Sequence, residues 1–213
     1  RKLVWQYFCS ASLATLAAAI AGEIVLDSST VVIVFIGVGL SWGAYCHWRA
    51  YDISMSRTAM LSILDDLTAM GLGYVILGEL RILTPILTAG IFLAVISGVL
   101  FARVKRLNKS GDEYERNNYV TWVFLYTMFF GIAMFSTRFF ALQGLPILTF
   151  AAPYYFGGWL GALLMRFVIV GDKEAGLPLT NTQRVKVFVL AVSLWTSTML
   201  AYFIRIFVPL TII

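Results

Sequence analysis

The sequence predicts an all-α membrane protein, a polytopic bundle of about seven transmembrane helices forming one domain over 1–213. Three observations carry this. Of 213 residues, 60% are hydrophobic and 13% charged, against about 25% charged in soluble domains. Several stretches of 18 or more residues hold almost no charge, enough helix to cross hydrocarbon about 30 Å thick. The basic residues collect at the ends of those stretches, where orientation in a bilayer uses them. The net charge of +5 therefore speaks for membrane topology; the lipid bilayer is the expected partner, and nucleic acid is not.

Span one is expected over about 3–25. Arg1 and Lys2 would suit the start of a signal peptide. The apolar run is long for that, however, and it ends in Glu23 and Asp27, not in a small-residue cleavage site. Its centre, ASLATLAAAIAG, is a small-residue face that lets another helix approach closely. The chain opens at Arg1 without an initiator Met, as a fragment of a longer polypeptide or a processed chain would. Asp27 to Thr30 reads as a turn. Span two, 31–46, carries Gly39 and Gly43 four apart on one helix-packing face. Trp48 and Tyr51 suit the headgroup level, and His47 beside them reads as a hydrogen-bonded boundary residue, with a proton relay as the lesser reading.

Span three, 57–80, is the stretch around which the functional reading turns. Stepping about 100° per residue gathers Thr58, Ser62, Asp65, Asp66, Ala69 and Gly73 on one small, polar stripe. A carboxylate in hydrocarbon is costly unless paired, hydrated or protonated, so Asp65 and Asp66 mark a site. In the alternative, 53–66 lies flat at the interface and 67–83 alone spans. The continuous helix is preferred, because the interfacial one would invert every later loop.

Span four, 82–102, has Pro85 in its first turn, where proline is tolerated. Arg103 to Asn118 is a long charged loop. Span five, 119–136, is strongly aromatic, and Arg138, Phe139, Phe140, Gln143 and Gly144 are expected in a far-side loop. Span six, 145–170, contains Pro153, which frees backbone groups, and Gly157, Gly158 and Gly161, which allow close packing. A packed kink is the preferred reading over a broken, site-lining span. After the loop Gly171 to Lys186, with Thr182 as cap, span seven covers 187–212. There Arg205 either snorkels to headgroups or pairs with Glu79 or Glu23.

With this topology one side holds thirteen basic residues: Arg1, Lys2, Arg49, Arg57, Arg103, Lys105, Arg106, Lys109, Arg116, Arg166, Lys173, Arg184 and Lys186. The other holds three: Arg81, Arg138 and Arg205. The bias puts the N-terminus in the cytoplasm, and a bacterial inner (plasma) membrane is the expected location.

One His and two Cys, the latter within apolar helices, exclude a multi-histidine metal or haem site. No phosphate-binding loop, zinc-protease or serine-hydrolase motif occurs, so no enzyme, cofactor or metal is expected. The leading functional reading is a transporter or channel for an ion or small solute. Its ion- or ligand-binding residues are Asp65, Asp66, Ser62, Glu79 and Arg205. Two alternatives are a sensory, ligand-binding input domain and a non-catalytic subunit of a larger membrane complex, with other membrane subunits or further copies of the chain as partners. Arg57, Asp65, Gly78-Glu79 and Pro85, with the run PYYFGGWLGALL, resemble multi-span input domains of bacterial sensor kinases. That resemblance implies the sensory reading, although an odd seventh span departs from a direct cytoplasmic link.

Overall fold

Caps and breaks set the helix boundaries in the computed structural model, which describes residues 1–79, 84–104, 113–170 and 179–207. All regular structure among them is helical: α1 Lys2–Ala21, α2 Ser28–Leu61, α3 Ile63–Ile76, α4 Pro85–Val104, α5 Glu113–Leu142, α6 Ile147–Met165 and α7 Asn181–Phe207. A π-helical turn, Arg166–Val170, continues α6. Among the described residues five stretches are long and apolar enough to cross a membrane by length and composition: Lys2–Ala21, Ser28–Leu61, Asn118–Leu142, Ile147–Val168 and Asn181–Ile204.

α1 stops at Gly22, whose φ of 69° is the left-handed conformation that ends helices; the expected span to 25 is therefore about a turn too long. Asp27 then caps α2. Its Oδ1 accepts from the Ser29 hydroxyl at 2.6 Å and the Thr30 N–H at 3.0 Å, and its own N–H donates to the Thr30 hydroxyl at 3.1 Å. α2 runs well past the expected end at 46 and breaks at Ser54, whose extended backbone (φ −159°, ψ 96°) divides it in two. The following helix, 55–76, is interrupted only at Ser62, where Asp65 N–H donates three residues back to the Ser62 carbonyl at 3.2 Å.

α5 continues through Arg138, Phe139 and Phe140, correcting the loop expected there. It ends near Gly144, which has φ 76°. α6 is a continuous helix across Pro153, so the broken-span alternative finds no break at that residue. Thr180, not Thr182, caps α7: its N–H donates to Gln183 Oε1 at 3.1 Å and its hydroxyl accepts from Gln183 N–H at 3.3 Å. That is a reciprocal capping box, which the pattern Thr-x-x-Gln encodes. The loop expected at 103–118 and the end of span seven fall largely outside the described residues.

The described residues form two units: 1–42 with 136–170 and 179–207, and 43–79 with 84–104 and 113–135. In the first, α6 is the centre, and the closest approach is backbone to backbone with the first part of α2. A Cβ at Gly37 would overlap the Tyr154 carbonyl, one at Gly157 the Val34 carbonyl, and one at Gly161 the Ser41 hydroxyl. A Cβ at Gly158 would lie 2.6 Å from the Tyr7 ring of α1. The expected packing role of Gly157, Gly158 and Gly161 thus has a concrete partner in each case. Gly37 makes the tight α2 contact in this unit, whereas Gly39 is half-buried.

Polar ties also fix α6 and α7. The Tyr155 hydroxyl donates to Thr198 Oγ1 at 2.7 Å, and the Tyr202 hydroxyl donates to the Leu145 carbonyl at 2.7 Å. The Thr149 hydroxyl donates to the Glu23 carbonyl at 2.7 Å. Between α1 and α6 runs an open, largely apolar groove of about 490 Å³, lined by Phe8, Ser12, Thr15, Phe156 and Trp159 among others.

In the second unit α5 is the centre. Along 43–53, contacts run from Gly43 at Phe129 to His47 at Tyr126, so this part of α2 is antiparallel to α5. Along 55–76 they run from Thr58 at Tyr119 to Asp65 and Thr68 at Gly131, so this helix is parallel to α5. Ser54 is therefore the bend of a helical hairpin clasping α5.

Candidate functional site

The hairpin places the acids of the third span on unequal sides. Asp65 is half-buried and Asp66 exposed. The expected stripe centres on neither. The α5-facing side is Leu61, Leu64, Asp65 and Thr68, while Thr58, Ala69 and Gly73 are buried. Asp66, about 100° further round the helix, turns outward. The two remain linked locally, because the Asp66 N–H donates to Asp65 Oδ1 at 3.1 Å.

Close approach at Gly131 makes Asp65 an α5 neighbour. A Cβ there would overlap Thr68 and come within 3.0 Å of the Asp65 carbonyl oxygen. Five residues earlier on α5, Tyr126 is fully buried, and its hydroxyl has no hydrogen-bond partner among the described residues. The ionisable groups close enough to act on that hydroxyl are Asp65, Tyr119 and Tyr51. From α2, the His47 ring lies 4.8 Å from the Tyr126 ring, 4.6 Å from Tyr51 and 5.6 Å from Phe130. At the Ser54 end, Thr58 Oγ1 is 3.4 Å from Tyr119 Oη and donates to the Ser54 carbonyl at 2.9 Å. Arg57 is the charged group near Tyr119. Hydroxyls, an imidazole and one carboxylate thus line the inside of the α2–α3–α5 hairpin, among Cys46, Ala50, Val123 and Leu64.

The other expected site residues are not gathered there. The Ser62 hydroxyl is used locally, donating to the Ala59 carbonyl at 2.8 Å. Glu79 is buried past the end of α3, with Tyr74 as an ionisable neighbour. On helical rise it lies roughly 20 Å from Asp65. Arg205 belongs to α7, and its side chain lies outside the described residues. Pairing of Arg205 with Glu79 or Glu23 therefore has no geometry to support it. Gly43 lies against α5: a Cβ there would lie 2.9 Å from Phe129 Cβ.

Sequence reasoning set His47 and Tyr51 at the boundary and gave Tyr119 and Tyr126 no role in the site. A signal existed. His47 and Tyr51 are four apart on α2, and Tyr119 and Tyr126 seven apart on α5, both same-face spacings. Only the hairpin makes those faces meet.

Fold and site together define a class: an all-helical bundle with several helices able by length and composition to cross a membrane, and a partly buried polar row in one unit. No family model matches the chain, and neither a curated protein nor a solved structure matches it.

Proposed function

We propose that the chain is a seven-span protein of a bacterial inner membrane, with its N-terminus in the cytoplasm, that moves an ion or small solute past Asp65. The observation that carries this reading is a half-buried acid in an otherwise apolar helix packed on α5, within electrostatic reach of a buried tyrosine hydroxyl that has no partner among the described residues. In a lipid-embedded bundle such groups belong to pathways, because lipid offers them nothing and their burial is expensive.

Helix directions support the seven spans. In the first unit α6 is antiparallel to α1 and α7, since Phe8 meets Trp159 while Glu23 meets Thr149, and Tyr155 meets Thr198 while Tyr202 meets Leu145. In the second, 55–76 runs along α5 for at least the stretch Tyr119 to Gly131, about 18 Å on helical rise. The 22 residues of 55–76 reach about 33 Å, a length that suits one crossing. Large exposed apolar side chains such as Phe35, Phe92, Phe188 and Phe203 suit a lipid-facing surface.

The test is flux in proteoliposomes, by solid-supported-membrane current across a panel of ions and small solutes. Wild type is expected to carry current for at least one of them, and Asp65→Asn to lose it while keeping its helix content. Equal currents in wild type, Asp65→Asn and Asp66→Asn would remove this site from the pathway. A second reading, a subunit seated in a larger membrane assembly, rests on the groove between α1 and α6, which suits another helix. Site-specific crosslinking from Ser12 and Thr15 in native membranes checks it, and a crosslinked partner is its expected result.

A further inference from the structure

We propose that the species bound at Asp65 is a proton, and that it reaches the carboxylate from the Ser54 end of the hairpin along Thr58, Tyr119, Tyr126 and His47. This rests on the transport reading above and names its substrate.

The side chains are ordered by depth. Measured from Ser54 on helical rise, Tyr51 and Thr58 lie about 5–6 Å in, His47 about 10 Å and Asp65 about 16 Å. The partners on α5 follow the same order: Tyr119 opposite Thr58, Tyr126 beside His47, and Gly131 against the Asp65 backbone. Each side chain in this row can donate and accept a proton. One link is already made, the 3.4 Å contact of Thr58 and Tyr119; longer steps are of the kind a water bridges. Tyr126 supplies the independent sign of a ligand: a fully buried hydroxyl, unpartnered among the described residues, within electrostatic reach of Asp65.

The chemistry favours a proton over a metal cation. Among the described residues no three His, Cys, Asp or Glu side chains gather to hold a metal ion. One carboxylate faces the row, since Asp66 turns outward. A metal cation stripped of water needs several oxygen ligands, whereas a proton needs one lone pair and leaves Asp65 neutral, which removes the cost of a charge in apolar surroundings. In the step itself an O–H bond forms at the Asp65 carboxylate as the donor's O–H or N–H bond breaks; the same proton later leaves to water. The titratable groups facing the row are Asp65, Tyr51 and Tyr126 around His47, and the Cys46 thiol packed with Tyr119 and Tyr126; Arg57 is the charge near Tyr119, and Asp66, next to Asp65, is exposed.

The experiment loads the full chain into liposomes with a trapped pH-sensitive dye. A pH gradient is imposed with valinomycin and potassium to clamp the potential, and sodium and potassium fluxes are followed in parallel. Wild type is expected to pass protons. Asp65→Asn is expected to reduce the flux at least tenfold, Tyr126→Phe and His47→Gln several-fold each, and Asp66→Asn less than twofold. A second measurement does not depend on turnover: infrared pH-difference spectra should show a protonated-carboxyl band that Asp65→Asn removes. Sodium or potassium flux that is lost in Asp65→Asn, with proton flux at the empty-liposome level, overturns the proton and keeps the transport reading. Proton flux unchanged in Tyr126→Phe and His47→Gln overturns the route. The absence of any flux and of the carboxyl band in folded wild type overturns both.

Discussion

The Tyr202 ring is fully buried, and its hydroxyl donates to the Leu145 carbonyl at 2.7 Å, just before α6 begins. Tyr202→Phe keeps the ring contact with Phe150 at 5.1 Å and leaves that carbonyl short of a donor. The expected loss is about 1–2 kcal/mol of stability, read as a lower thermal midpoint in detergent. Asp27 gives a pH signature outside the helices. The Ser29 hydroxyl, then the Thr30 N–H, holds its carboxyl below the ordinary carboxylate value. A depressed folded pKa means that the carboxylate's contribution is present above the ordinary value and fades as pH falls through the depressed one. The stability gap between wild type and Asp27→Ala should accordingly be constant above pH 5 and smaller at pH 3. A gap that widens on acidification would mean the carboxylate does not cap α2.

At the scale of the element, glycines separate into those that meet a neighbour and those that do not. Gly157→Ala puts a methyl into the Val34 carbonyl of α2, a backbone atom that cannot swing aside, and overpacking of this kind costs about 1–3 kcal/mol. Gly90 in α4 is the internal control, since a Cβ there meets nothing within 4 Å. Gly90→Ala should be neutral or stabilising by up to about 1 kcal/mol, from helix propensity alone. Thermal unfolding of both variants side by side checks the contrast, and equal effects would mean that α2 and α6 do not approach at Gly157. The cap of α7 is testable in the same way. Thr180→Ala removes the acceptor for Gln183 N–H and should cost about 1 kcal/mol, whereas Thr182→Ala should cost less.

For the whole molecule the decisive quantity is topology. Single cysteines in a Cys9- and Cys46-free background should label at Ser110, which lies outside the described residues, only from the cytoplasmic side, and at Gln143 only from the far side. Gln143 is exposed just before the α6 start, at the end where Glu23 meets Thr149 and Tyr202 meets Leu145. Labelling of Gln143 from the cytoplasm alone would break the seven-span order.

Composition alone determined the helical class, because apolar runs of this length satisfy their backbone hydrogen bonds in hydrocarbon chiefly as helices. Caps were partly legible: Asp27 and the glycines at 22 and 144 carry local rules, but the capping box at Thr180 was passed over for Thr182. Ser54 has no sequence signal, since its extended backbone suits any residue, and the chain reverses there because both arms find α5 to pack on. That reversal decided the site. Helical periodicity put Asp65 and Asp66 on one stripe as equals, and it could not know which way the stripe would turn. Packing of Thr68 and the Asp65 backbone onto Gly131 left Asp65 half-buried, within electrostatic reach of Tyr126, and Asp66 exposed. His47, Tyr119 and Tyr126 became neighbours of the acid for the same reason: faces far apart in sequence meet only when helices choose partners, and that choice is made by the fit of small residues against backbone, a property of pairs of helices that no single stretch of sequence contains.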